Sequence, residues 1–130
     1  MTSLKTPLRY PGGKSRAIKK MAQFLPDMSK YKEYREPFLG GGSVALHITQ
    51  TYPHLEIWVN DLYEPLVNFW QQLQDEANEI TTRLRTFKGT YSTPEKAKEL
   101  FLESKELVND ERASLVTRAV SFYIVNKCSF

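Results

Sequence analysis

The chain has 130 residues, 41% of them hydrophobic and 25% charged, which fits one globular domain and excludes an intrinsically disordered segment. Its net charge of +3 gives only weak support for contact with nucleic acid, and its single cysteine, Cys128, excludes an intrachain disulfide. No apolar run reaches the ~20 residues of a membrane span and the N-terminus lacks a signal-peptide core, so we expect a cytoplasmic protein.

The N-terminal segment is basic. Residues 1–13 predict an extended arm with a turn, and residues 14–25 predict a helix that Pro26 ends. Such a segment can steer a polyanion toward one face of a protein, although a solvated helix face explains the same residues. Residues 1–26 contain no acid and six basic side chains, Lys5, Arg9, Lys14, Arg16, Lys19 and Lys20.

The sequence Gly13-Lys14-Ser15 ends like the phosphate loop of nucleoside triphosphatases. That motif needs a glycine five positions before its second glycine, and Leu8 stands there instead. No apolar strand precedes the segment either. We therefore exclude a Walker-type triphosphatase.

A glycine-rich turn follows the first predicted strand. Residues 34–38 predict that strand and residues 43–52 a helix, with three glycines between them that can adopt positive φ and let the backbone lie close to a ligand. Asp61 follows the second predicted strand, residues 56–59, and lies 21 positions after Gly40. This spacing is typical of nucleotide sites in which an acid binds the ribose hydroxyls. The alternative is an ordinary tight turn and a surface Asp that caps the next helix.

The remainder of the chain predicts helices. Apolar residues keep helical spacing from Leu66 to Leu84, after Pro65, and Gly89 would end this helix after roughly five turns. Thr93-Pro94-Glu95 predicts the start of another helix, and Asp110 that of the last.

The side chains that helical spacing turns inward in the last helix are Leu115, Val116, Ala119, Phe122 and Tyr123. The aromatic residues of this set, together with Phe69 and Trp70, are better explained as core than as a base-stacking surface.

Four segments in this order resemble the Dam-type N6-adenine-specific DNA methyltransferases. They are Tyr10–Lys14, Glu36–Ser43, Asn60–Asp61 and Phe122–Phe130. The resemblance covers the whole chain and implies an α/β, doubly wound (Rossmann-like) S-adenosylmethionine-dependent methyltransferase fold, incomplete in this fragment because the later strands are missing. The family's catalytic Asp/Asn-Pro-Pro-Tyr/Phe tetrapeptide is absent, since the chain contains no Pro-Pro dipeptide. Residues 1–130 are accordingly expected to be the cofactor-binding part of a longer enzyme and to contain no catalytic residue.

The resemblance also implies roles for individual residues. S-adenosylmethionine is the expected cofactor and duplex DNA the expected partner of the complete enzyme. No metal is expected. The cofactor would contact Tyr10, Gly12, Gly13, Lys14, Glu36, Phe38, Gly40, Gly42, Ser43 and Asp61. DNA would contact Arg9, Arg16, Lys20 and Lys127.

Two alternatives to an adenine methyltransferase stay open. One is a non-catalytic nucleotide-binding or regulatory module, and the other is a doubly wound enzyme that uses a dinucleotide. The two predicted strands are too few for the sheet of a doubly wound domain. Apolar helix faces that a larger sheet would cover are therefore expected to be exposed and to favour self-association.

Overall fold

The computed structural model describes residues 4–11 and 14–128. The chain divides into two compact units, Met1–Leu62 and Tyr63–Phe130. The N-terminal unit contains α1 (Ile18–Ala22), β1 (Glu33–Glu36), α2 (Ser43–Thr51) and β2 (Glu56–Val59). The C-terminal unit contains α3 (Glu64–Asp75), α4 (Ala77–Thr90), α5 (Pro94–Leu107) and α6 (Leu115–Cys128).

The N-terminal unit is built on a β–α–β arrangement. Strands β1 and β2 pair in parallel, with Glu33 opposite Glu56 and Glu36 opposite Val59, and α2 connects them. Tyr34 and Ile57 are paired in this register, so their side chains lie on the same face of the sheet and pack against one core. That core consists of Met28, Val44, Ile48 and Leu55.

The predicted bounds in this unit are partly confirmed. Strand β2 covers the predicted residues 56–59, and α2 begins at Ser43 and ends one residue early. Strand β1 spans Glu33–Glu36, so it begins one residue before the predicted strand and ends two residues before its predicted end. The helix predicted over residues 14–25 is shorter, since α1 spans five residues and turns flank it.

In the C-terminal unit, α6 packs against α3, α4 and α5. Phe69 of α3 is 1% exposed, and its ring centroid lies 5.5 Å from that of Phe122 and 6.1 Å from that of Tyr123. Trp70 meets Phe69 edge to face. The prediction that these aromatic side chains form core is confirmed for Phe69 and Phe122, which are buried, while Trp70 and Tyr123 are half-buried and pack against them.

The prediction of one helix from Leu66 to Leu84 is wrong. The segment forms α3 and α4, which are separated at Glu76, whose backbone leaves the helical region at φ −130° and ψ 33°. The break costs few hydrogen bonds, because the Glu76 N–H donates to Gln72 O at 2.7 Å and its carbonyl accepts from Ile80 N at 3.0 Å. The predicted terminator Gly89 lies inside α4.

The start of the last helix is also corrected. Asp110 forms a turn with Arg112, and α6 begins at Leu115, where Ser114 Oγ accepts the Thr117 N–H at 3.1 Å. Leu115 is 53% exposed, so its predicted inward position is wrong, although its carbonyl accepts a hydrogen bond from Asn68 Nδ2 of α3 at 3.0 Å. The predicted Thr93 cap of α5 is confirmed, with Thr93 Oγ1 accepting the Lys96 N–H at 3.3 Å.

Within the described residues the fold is mixed, with a two-stranded parallel sheet and six helices. Large apolar side chains are exposed in both units, among them Phe24, Trp58 and Leu102. Self-association through such faces stays a prediction. None of the described helices is long and apolar enough to cross a membrane.

Candidate functional site

The glycine turn between β1 and α2 requires its glycines. Gly40 has φ +54° and Gly42 has φ +79°, both in the left-handed region that side chains disfavour. The Gly42 N–H donates to Leu39 O at 3.0 Å, and the Gly42 carbonyl accepts from Leu46 N at 3.0 Å, so Gly42 closes the turn and opens α2 at once. A Cβ atom at either position would strain this backbone.

Three hydrogen bonds join the turn to the end of β2. The Gly40 N–H donates to Asp61 Oδ2 at 2.9 Å, and the Leu39 N–H donates to Asn60 O at 2.8 Å. The Asn60 N–H in turn donates to Glu36 O at 2.8 Å. The Asp61 carboxylate therefore holds the glycine turn through the Gly40 N–H.

The N-terminal arm lies on this turn. A Cβ added to Gly41 would come within 2.9 Å of Tyr10 Cβ, and one added to Gly40 within 3.2 Å of Tyr10 Cε1. The Thr6 hydroxyl donates to the Gly41 carbonyl, and Leu8 is 6% exposed. The missing side chains of the turn thus make room for the arm as well as for a ligand.

A cavity of about 310 Å³ opens beside the turn within the N-terminal unit. It brings together every described residue for which a cofactor contact was predicted; Gly12 and Gly13 lie outside the described residues. The lining residues are Tyr10, Lys14, Glu36, Phe38, Leu39, Gly40, Gly41, Gly42, Ser43, Val44 and Asp61. Sequence reasoning had not assigned Leu39, Gly41 and Val44, although their places within or next to the glycine segment were a usable signal.

Glu36 is the half-buried acid of the cavity. Burial raises its pKa, while the hydrogen bond from Tyr34 and the charge of Lys14 act in the opposite direction. The Tyr34 hydroxyl donates to Glu36 Oε2 at 3.2 Å. Burial, and next the Glu36 charge, raise the pKa of Tyr34 to about 12, so this hydroxyl is a proton donor at neutral pH. The sequence prediction overlooked Tyr34, though its spacing of two from Glu36 places both side chains on one strand face.

Two further lining residues bear on what the cavity can bind. Ser43 Oγ is buried and has no hydrogen-bond partner among the described residues. A buried hydroxyl without a partner is costly, so a polar ligand group beside it would be favoured. Phe38 is 81% exposed and offers an aromatic surface to a ring. The site therefore combines an aromatic face, two acids, a cation and a free hydroxyl among the residues described.

The four residues predicted to contact DNA lie elsewhere. None of them lines this cavity. Arg9 and Lys20 are exposed, and Arg16 borders a separate depression together with Lys5 and His47. Lys127 belongs to the C-terminal unit, where its ammonium lies 5.8 Å from the Tyr123 ring centroid. No nucleic-acid contact of these residues follows from their positions alone.

Comparison with known proteins defines the class. Residues 10–130 match the family described as D12 class N6 adenine-specific DNA methyltransferase. The chain belongs to this family.

Individual relatives agree with the family. The chain is 25% identical to the Type II methyltransferase M.MjaIII of Methanocaldococcus jannaschii, over an alignment that covers 95% of this chain and 45% of the relative. It is 29% identical to the DNA N-6-adenine-methyltransferase of Escherichia phage P1, over 94% of this chain and 15% of that protein. It is 25% identical to the Type II methyltransferase M1.LlaDCHI of Lactococcus lactis subsp. cremoris, over 94% of this chain and 40% of the relative. The chain thus spans less than half the length of each of these curated relatives.

Proposed function

We propose that the chain supplies the S-adenosylmethionine site of a DNA methyltransferase that acts on the N6 amine of adenine in duplex DNA. The observation that carries this proposal is the cavity in which Asp61, Glu36 and the glycine turn meet. The parallel β–α–β arrangement supports a Rossmann-like methyltransferase fold, in which ligands bind outside the carboxyl ends of the strands. We also propose a cytoplasmic location for this enzyme.

The donors and acceptors of the cavity match the parts of this cofactor. We assign Asp61 to the ribose hydroxyls, because a carboxylate accepts strong charge-assisted hydrogen bonds. Glu36 would bind a cationic group and Lys14 the cofactor carboxylate. Bound S-adenosylmethionine would supply a methyl group activated by its sulfonium.

The remaining lining residues would shape the pocket around the ligand. Phe38 and Tyr10 would pack against the flat and apolar parts of the cofactor, since both rings are accessible. The bare backbone of the turn would approach the methionine part, and Ser43 Oγ would gain a partner for its buried hydroxyl. Gly12 and Gly13 stay predicted contacts on the strength of the family resemblance.

A test of this assignment is the loss of the Asp61 carboxylate. We expect Asp61→Ala to weaken S-adenosylmethionine binding by about 1.5–3 kcal/mol, the range for hydrogen bonds to charged groups. The measurement is isothermal titration calorimetry. Because Asp61 also accepts the Gly40 N–H, Asp61→Asn is the matched variant: it keeps an acceptor for the turn and removes the charge. Wild-type affinity in both variants would refute the ribose assignment.

The basic N-terminal segment is proposed to contact DNA phosphates. Replacing Arg16 and Lys20 with Ala should weaken binding to all duplex sequences and reduce the slope of log K against log salt by about 2, since each phosphate contact contributes ~0.9. Fluorescence anisotropy over a salt series measures this slope. The control is the double replacement of the exposed Lys30 and Lys32, which removes the same charge. Equal slopes in both double variants would favour a solvated face.

A non-catalytic nucleotide-binding module is the second candidate. The cavity beside the glycine turn is sufficient for such a module, because nucleotide binding requires no catalytic residue. Both candidates share the cavity and predict cofactor binding. An assay of methyl transfer to DNA distinguishes the methyltransferase from the non-catalytic module.

A further inference from the structure

Tyr34 connects the hydrophobic core of the N-terminal unit to the acid of the cavity. Its side chain packs against the cluster formed by Met28, Val44, Ile48 and Leu55. Its hydroxyl reaches Glu36 Oε2 at 3.2 Å, from the same face of β1. Tyr34 is not itself among the residues that line the cavity. The ring is thus anchored on one side while the hydroxyl is directed at a lining carboxylate.

We propose that Tyr34 is a positioning residue for cofactor binding: its hydroxyl holds one Glu36 oxygen, so that the carboxylate presents its charge to a cationic group in the cavity. This inference rests on the proposed function, because the cation it requires is part of S-adenosylmethionine. It goes further by naming a residue outside the cavity that sets the affinity. A tyrosine that merely fills the core would not need its hydroxyl.

The electrostatic surroundings of Glu36 make this role measurable. The groups that act on its charge are the Tyr34 hydroxyl on its own strand and Lys14 from the N-terminal segment, and Asp61 and Tyr10 line the same cavity. Burial raises the Glu36 pKa, and the Tyr34 hydrogen bond opposes that rise. Removing the hydroxyl must therefore raise the Glu36 pKa further.

The direction of the pH effect follows from the charge of the ligand. A cationic group binds the ionised carboxylate, so affinity is present above the Glu36 pKa and is lost as pH falls through it. In Tyr34→Phe this loss should begin at a higher pH than in the wild type. At neutral pH the variant should bind about five- to tenfold more weakly, which is the net contribution of one ordinary hydrogen bond, because the hydroxyl acts on the ligand only through Glu36.

The experiment is calorimetry with S-adenosylmethionine over a pH series. It compares the wild type with Tyr34→Phe, Glu36→Gln and the double variant. The control is Tyr52→Phe, since Tyr52 is a half-buried tyrosine on the same core cluster that does not line the cavity. We expect the control to match the wild type. Tyr34→Phe should have no further effect in the Glu36→Gln background, because the hydroxyl acts through that carboxylate.

Wild-type affinity and an unshifted pH profile in Tyr34→Phe would overturn the inference. Glu36→Gln keeps an acceptor for Tyr34 and gives an independent test: unchanged affinity in this variant would overturn it even if Tyr34→Phe does not fold. A ¹³C NMR titration of the Glu36 carboxyl carbon needs no cofactor. If the wild type fails to bind S-adenosylmethionine, the proposed function fails, whereas an equal Glu36 titration in wild type and Tyr34→Phe refutes the positioning role itself.

Discussion

No detectable methyl transfer to adenine in duplex DNA is expected from the 130-residue chain, even at saturating S-adenosylmethionine. The cavity contains acids, a cation and a glycine turn that we propose bind the cofactor, but no described residue is assigned to orient the target amine or the flipped base. Orientation of two reactants contributes up to ~7–11 kcal/mol in favourable cases. Its absence is enough to bring the rate below detection.

Incorporation of a radiolabelled methyl group into duplex DNA measures this. The comparison is a longer form of the protein that continues through an Asp-Pro-Pro-Tyr-like tetrapeptide, and it should be active. Adenine-specific incorporation by residues 1–130 alone would contradict the prediction, because the chemistry would then come from residues assigned here to binding or packing. Inactivity of the longer form, with cofactor binding intact, would favour the non-catalytic module.

Loss of cofactor binding is expected from Gly42→Val. Gly42 has φ +79°, and a β-branched side chain in this region is a severe outlier. The backbone must move to relieve the clash. That movement would displace the turn from the cavity while leaving the helices of the C-terminal unit in place. We expect no measurable binding in calorimetry and a largely retained helical signal in circular dichroism.

Gly89→Val is the matched control for this substitution. Gly89 lies in α4 of the C-terminal unit, and a Cβ there meets nothing within 4 Å. The same side chain is thus introduced without strain, and cofactor affinity should not change. Normal binding by Gly42→Val would mean that the turn does not approach the ligand.

The sequence predicted local features well where local chemistry decides them. The Thr93 cap, the start of α2 and the bounds of β2 depend on a few adjacent side chains. The break at Glu76 was missed because apolar residues keep helical spacing across it: α3 and α4 both pack against α6, which maintains the pattern. A periodic pattern reports which face is buried, and it does not report whether the backbone is continuous.

The same distinction applies to the site. Motif spacing was enough to select Asp61 and the glycines, which line one cavity. It was not enough to predict that Asp61 accepts the Gly40 N–H, because that bond requires the register in which Glu36 stands opposite Val59. Spacing places Tyr34 and Glu36 on one face of β1, but it did not show that this face meets both the core and the cavity.

The hydrogen bonds between the glycine turn and the end of β2 have a consequence for dynamics. Leu39, Gly40 and Asn60 each donate a backbone hydrogen bond across this junction, so neither strand end can move away alone. The part of the cavity that the glycine turn forms would open only by cooperative local unfolding of both strand ends, and not by independent fluctuation of a loop. If the proposed cofactor contacts the turn and Asp61, its binding free energy would be added to this cooperative unit, and protection of these amides from hydrogen exchange would rise with cofactor occupancy.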